Sequence, residues 1–295
     1  MYSPIQYNEP LFRPPAEANS LIFQVTLGCS WNSCAFCDMY ASKQFKVRSE
    51  DDVLQEITTL AQLFPNTRKI FLADGNAMVL STAKLLRILT ALSEHFPKLH
   101  RVSTYASPKD IVSKTHDELT ALKNAGLHLL YVGIESGDDE VLRFVNKGET
   151  YNTILDGLLQ AKKADIKSSV MILSGLGGLK YSERHAIASA NIVNASQPEF
   201  ISLLVLSFPY GKQAYVDRFK GDYVPMSVHD LLVELRVFIS HTKLDSSIFR
   251  TTHASNYIGL QGILGRDAEK LISQVSLAIT HPNLAHLRNE WERGL

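Results

Sequence analysis

The sequence predicts an α/β protein, and three observations predict it. Short apolar runs rich in β-branched and aromatic residues alternate with stretches of helical periodicity. The runs are apolar almost throughout, as in strands of a parallel sheet covered on both faces. Their starts recur roughly every 30–45 residues, close to the βα unit of a barrel.

Residues 1–20 carry Pro4, Pro10, Pro14 and Pro15, which disfavour helix, so an extended arm is expected. LIFQVTLG (21–28) is the first strand and ends at the cysteines. Ser49 is a candidate N-cap, with Glu50, Asp51 and Asp52 in the first turn and Val53, Leu54, Ile57, Leu60 and Leu63 at helical spacing. Strands then fall at 68–75, 100–107, 128–137, 167–175 and 199–209. Helices fall between them at 81–96, 116–126 (closed by Gly126), 151–164 and 182–195. After Pro209 the alternation stops. Ser227 and Asp230 resemble a capping box ahead of a helix at 231–243, and helical stretches follow at about 266–280 and 282–292. The expected division is an arm (1–20), a six-strand core (21–215) and a mostly helical C-terminal extension (216–295) packed on the core.

Lys plus Arg is 30 and Asp plus Glu is 30, so the net charge is zero. That disfavours a large nucleic acid as partner, because neutralising phosphates needs a surplus of cations. No apolar run approaches the ~20 residues that span a bilayer. MYSPIQYNEP lacks the basic and apolar regions of a secretory signal, so a cytoplasmic location without membrane association is expected.

The only cysteines are Cys29, Cys34 and Cys37, spaced C-x4-C-x2-C. They sit at the end of the first strand. In parallel α/β folds that is where ligands bind, and four further polar or Gly-rich loops share that end. A closed zinc site needs four ligands, and no fourth Cys exists; the nearest His in sequence is His95. Three thiolates instead suit an iron–sulfur cluster with one iron open to another ligand. Zinc, or three unrelated buried thiols, are the alternatives.

LIFQVTLGCSWNSCAFCDMY resembles the radical S-adenosylmethionine (SAM) superfamily, which places three cluster cysteines after its first strand and an aromatic, here Phe36, inside the last pair. One extra residue separates Cys29 from Cys34 relative to the usual C-x3-C-x2-C. Asp74, Gly75 and Asn76 follow the second strand, where the family receives the methionine amino group; a plain Asp-Gly turn is the alternative. GIESGDDEVLRFVNKG (133–148) is similar to the branch that includes oxygen-independent coproporphyrinogen oxidase. By that similarity Glu135 faces the ribose hydroxyls and Lys147 the methionine carboxylate. The alternative for Lys147 is a solvated helix-end charge. SSVMILSGLGG (168–178), with Gly175, is similar to the segment that holds adenine, as is the backbone at Met39 and Tyr40.

The resemblance covers about residues 20–210. It implies a partial (β/α)6 TIM-like barrel, a 4Fe–4S cluster, S-adenosyl-L-methionine, and an electron donor such as flavodoxin or ferredoxin. It also implies reductive cleavage to a 5′-deoxyadenosyl radical that takes hydrogen from a substrate. With no further Cys and no room for a cobalamin domain, methylthiotransferases, multi-cluster peptide-modifying enzymes and dual-cysteine RNA methylases are disfavoured. A small-molecule substrate is favoured. A non-catalytic iron–sulfur sensor or carrier, or a zinc-dependent TIM-like hydrolase, are the rival readings. In the extension, RTTHASNY (250–257) offers His253 and Tyr257 as substrate contact or proton donor, or as a capping loop with a satisfied His.

Overall fold

A computed structural model describes residues 5–208, 211–219 and 222–293; Pro4 and Pro209 lie outside them. The α/β alternation is present. The strands are β1 (Leu21–Gln24), β2 (Thr26–Leu27), β3 (Lys46–Val47), β4 (Lys69–Ala73), β5 (Arg101–Ala106), β6 (Leu127–Glu135), β7 (Lys167–Ser174), β8 (Phe200–Val205), β9 (Ile248–Arg250) and β10 (Gln261–Ile263). The helices are α1 (Glu50–Leu63), α2 (Thr82–His95), α3 (Pro108–Val112), α4 (His116–Asn124), α5 (Asp139–Phe144), α6 (Tyr151–Lys163), α7 (Gly178–Ser196), α8 (Gln213–Arg218), α9 (Val228–His241) and α10 (Ala268–Thr280).

The chain divides into two compact units. The first holds Met1–Asn32, Cys37–Val132 and Asp156–Ser168; the second holds Ser33–Phe36, Gly133–Leu155 and Ser169–Leu295.

In the first unit β1, β4, β5 and β6 lie side by side in that order, all parallel, with Leu21 opposite Ile70 and Ile70 opposite Val102. Phe23, Ile70, Phe71 and Leu72 are fully buried, as the unbroken apolar runs require. On one face α1 packs on α2 and α2 on α4, burying Ile57, Leu60, Leu85, Ile88 and Leu92. The segment 21–28 is not one strand. Val25 turns its N–H to Ala73 O at 2.6 Å and accepts from Arg48 N, so β1 stops at Gln24 and β2 pairs antiparallel with β3. The arm is not wholly extended either. Pro15–Glu17 make a single helical turn, and Glu17 is fully buried, accepting from Ser20 Oγ, Arg101 Nη2 (2.6 Å) and Tyr131 Oη (2.7 Å).

In the second unit β7, β8 and β9 run parallel and β10 closes antiparallel on β9. The extension therefore contributes two strands that helical periodicity did not foresee; each has three residues, too few to show a period of two. The capping box forms as expected, with Asp230 N–H donating to Ser227 Oγ and Ser227 N–H to Asp230 Oδ2. Helix α9 packs on α7 and α10. The stretch 282–292, expected as a helix, is two single turns, Pro282–Leu284 and Glu290–Glu292. The backbone of His286 between them takes φ +47°, which a right-handed helix excludes.

Candidate functional site

In the first unit the loop that carries Cys29 is tied to the end of β4. Asp74 has no solvent exposure, and its carboxylate accepts from Lys43 Nζ (2.8 Å), Gly28 N–H (3.0 Å) and Gln24 Nε2 (3.3 Å). Lys43 also donates to Asn8 O, and Gln24 exchanges two hydrogen bonds with the Asn8 backbone. One buried ion pair thus joins the arm, β1, the cysteine loop and β4. Gly75 donates its N–H to Gly28 O, and a Cβ there would lie 2.9 Å from both Cys29 Cα and Cys29 Cβ. Only a glycine lets the two loops approach so closely. Asn76 is buried, bonded to Asp110 and to Ser30 Oγ, and accepts from Ser107 N–H.

Three residues past Cys37, Tyr40 is buried. Its carbonyl accepts from Asn32 Nδ2 at 3.0 Å and its ring meets Phe12 edge-on. Burial above all, then Asp74, Tyr105 and the Cys29 and Cys37 sulfurs, push its pKa far above the ordinary phenol value, so the hydroxyl keeps its proton. Met39, beside it, is exposed.

In the second unit the turn that carries Cys34 is stitched to the segment after β6. Ala35 N–H donates to Val145 O (2.8 Å) and Asn146 Nδ2 to Ser33 O (3.0 Å). Lys147, next in sequence, pairs with Glu135 at 3.1 Å, and its ammonium stands 5.9 Å from the Phe36 ring centroid. Burial pulls the Lys147 pKa down. Glu135 first, then Cys34 and Glu149, outweigh it and hold the ammonium above its ordinary value. Glu135 ends β6 with φ +64°, a left-handed conformation that costs a non-glycine residue energy and clusters at functional sites. Gly133 makes the pair possible, since a Cβ there would meet Glu135 Oε1 at 2.1 Å. Sequence reasoning missed Gly133. Its signal was the position, two residues before Glu135 and so on the same strand face.

Gly175, at the end of β7, has φ +81°. Its N–H and Ser174 Oγ both donate to Glu234 Oε1 (2.8 and 2.7 Å), and Ser182 Oγ donates to Glu234 Oε2 (2.7 Å). Glu234, buried on α9, is the second residue that sequence reading did not single out. Its position three residues after Leu231 and four before Phe238, both buried, was the signal.

His253 and Tyr257 lie between α9 and α10, on the loop that joins β9 to β10. Their loop docks on β8, with Val205 N–H donating to Ser255 Oγ and Asn256 Nδ2 to Leu203 O. Ser255 N–H donates to His253 Nδ1 at 3.1 Å, which fixes the neutral ring with its proton on Nε2. Burial and then Arg288 hold the His253 pKa below its ordinary value. Tyr257 donates to Glu290, accepts from Arg293 Nη1 (2.6 Å), and lines a cleft of about 460 Å³ with Leu232, Ile279, Leu287 and Arg288. That volume suits a small organic molecule.

The donor set fits an iron–sulfur cluster. None of the three is in a disulfide, and none is fully buried. Among the described residues no three His, Cys, Asp or Glu side chains are gathered into a metal cage. Thiolate ligands that converge as metal binds need no such preformed cage. Also among the described residues, no helix is long and apolar enough to cross a membrane.

Comparison with known proteins agrees with this geometry. Residues 23–190 match the Radical SAM superfamily. An uncharacterized methyltransferase of Pyrococcus horikoshii is 26% identical over 149 residues, 48% of this chain and 30% of that protein. The heme chaperone of Bacillus subtilis is 23% identical over 180 residues, 58% of this chain and 47% of that one. The chain thus spans less than half the length of these relatives. Coproporphyrinogen III oxidase of Escherichia coli, described as a radical SAM enzyme, superposes with a TM-score of 0.58 at 20% identity, over 75% of this chain and 52% of that one. That likeness shows the fold, the α/β architecture of the TIM-like radical SAM barrel.

Proposed function

The chain belongs to the Radical SAM superfamily, and from that premise we propose that it cleaves S-adenosylmethionine reductively and takes a hydrogen atom from a small-molecule substrate. It is an enzyme whose cofactors are a 4Fe–4S cluster and S-adenosylmethionine. With both bound, the reduced cluster would supply the electron that cleaves S-adenosylmethionine to methionine and a 5′-deoxyadenosyl radical. The observation that carries the reading is the Glu135–Lys147 pair, built on a left-handed residue beside the Cys34 turn.

Cys29, Cys34 and Cys37 hold the cluster, with Phe36 shielding it. Lys147 neutralises the methionine carboxylate, and Glu135 accepts from the ribose hydroxyls while keeping Lys147 charged. The Gly75–Asn76 backbone meets the amino group, and Asp74 acts one layer below by fixing Gly28. Gly175 and the Met39–Tyr40 backbone flank adenine. His253, neutral at pH 7, and Tyr257 serve the substrate side. An electron donor such as flavodoxin or ferredoxin supplies the reducing equivalent. The division into arm, core and extension stands as the proposed domain plan.

The test is anaerobic reconstitution with iron and sulfide. The protein is expected to hold about four irons per chain, as a three-thiolate cluster implies, and to form 5′-deoxyadenosine with a strong reductant. Cys34→Ala is expected to abolish both. Stoichiometric zinc in colourless protein would support the hydrolase reading instead. A full cluster that never cleaves S-adenosylmethionine would support the sensor.

A further inference from the structure

Tyr40 is sealed in the first unit with 4% of its surface exposed, and its hydroxyl is buried without a hydrogen-bond partner. A buried hydroxyl without a partner costs stability, and such groups in native proteins await a ligand or water. The carbonyl of Tyr40 is held by Asn32 Nδ2 and by Lys43 N–H (both 3.0 Å), and the ring packs against Phe12 with centroids 5.4 Å apart. The groups that act electrostatically on the phenol are Asp74, Tyr105, Cys29 and Cys37. Asp74 already accepts from Lys43, Gly28 and Gln24. Burial keeps the Tyr105 hydroxyl neutral, and the sulfurs are the neighbours that bear charge once they hold a cluster.

We propose that Tyr40 Oη donates a hydrogen bond to a sulfur of the cluster held by Cys29 and Cys37, and so raises its reduction potential. This rests on the radical SAM reading. A donor aimed at a cluster sulfur favours the reduced state, which carries one more negative charge. No protein group satisfies that hydroxyl, so Tyr40 is expected to contribute more to stability with the cluster than without it.

The test compares wild type with Tyr40→Phe, each metal-free and after loading with iron and sulfide. Loaded Tyr40→Phe is expected to keep its iron but to have a more negative potential in a reductive titration followed by electron paramagnetic resonance. Metal-free Tyr40→Phe is expected to unfold at a denaturant midpoint at or above wild type. A lower midpoint means the hydroxyl was already bonded and overturns the proposal, as do equal potentials. A potential difference seen only after S-adenosylmethionine is added makes the methionine carboxylate the acceptor and overturns it too. Resonance Raman of loaded wild type needs no variant: its Fe–S bands should shift in D2O, and unshifted bands overturn the proposal. Wild type that takes up no iron overturns the cluster reading itself, a failure distinct from the others.

Discussion

Replacing Lys43 by Met removes the ammonium from a pair whose side chains are 5% and 0% exposed. The Asp74 carboxylate is then left in the interior with two neutral donors, Gly28 N–H and Gln24 Nε2. Breaking a buried pair from one side costs about 3–5 kcal/mol, because the survivor is a desolvated charge. Total stability is on the order of 5–15 kcal/mol, so this is a large share of it. At roughly 2–4 °C per kcal/mol for a chain above 150 residues, the midpoint falls by about 6–20 °C. The double variant Lys43→Met/Asp74→Leu is expected to regain part of the loss and no more, since Gly28 N–H then lacks an acceptor. Urea unfolding of the metal-free protein, followed by circular dichroism, measures both, with equal m-values showing that the denatured state is unchanged. A Lys43→Met protein within ~1 kcal/mol of wild type would refute the reasoning, because an exposed pair behaves that way.

Glu135→Gln and Lys147→Met should each lower S-adenosylmethionine affinity about tenfold or more, as a lost charge-assisted hydrogen bond of ~1.5–3 kcal/mol implies; calorimetry under argon checks this, and iron content should not change. Gly75→Ala should lose cluster loading with the fold retained, since the neighbour its Cβ meets is Cys29 backbone; iron analysis beside far-ultraviolet circular dichroism is the measurement. The folded-state pKa of His253 lies below 6.5. Below about pH 6.5 the unfolded chain therefore takes up the proton first, and stability drops as pH falls toward the folded value. His253→Gln should flatten that part of the stability–pH curve, and an unchanged slope would count against a buried neutral ring.

The longer strands and helices of the core were legible because each shows its period, whereas the two-residue strands β2 and β3 were not. Ser227 and Asp230 announced α9 by chemistry alone. The short strands β9 and β10 were not, and neither was α5, hidden inside the segment that drew attention to Glu135 and Lys147. At the site, the cysteines were legible from spacing. The engagement of Asp74 was not: Lys43 lies in a polar stretch, ASKQF, that reads as solvated until the fold encloses it. The separation of Lys147 and Glu135 by twelve residues likewise hid their pairing, which depends on the left-handed turn at the end of β6.

Glu17 has a consequence for how the chain comes off the ribosome. Its carboxylate ends up fully enclosed, yet Arg101 and Tyr131 stand 84 and 114 residues further on. At synthesis rates of about 5–20 residues per second, some 6–23 s pass between the two ends of that contact. Throughout the interval Glu17 stays a hydrated charge, and the arm has nothing to dock against. The segment around Glu17 is thus among the last parts of the first unit to be fixed, a latch that closes only once β5 and β6 exist.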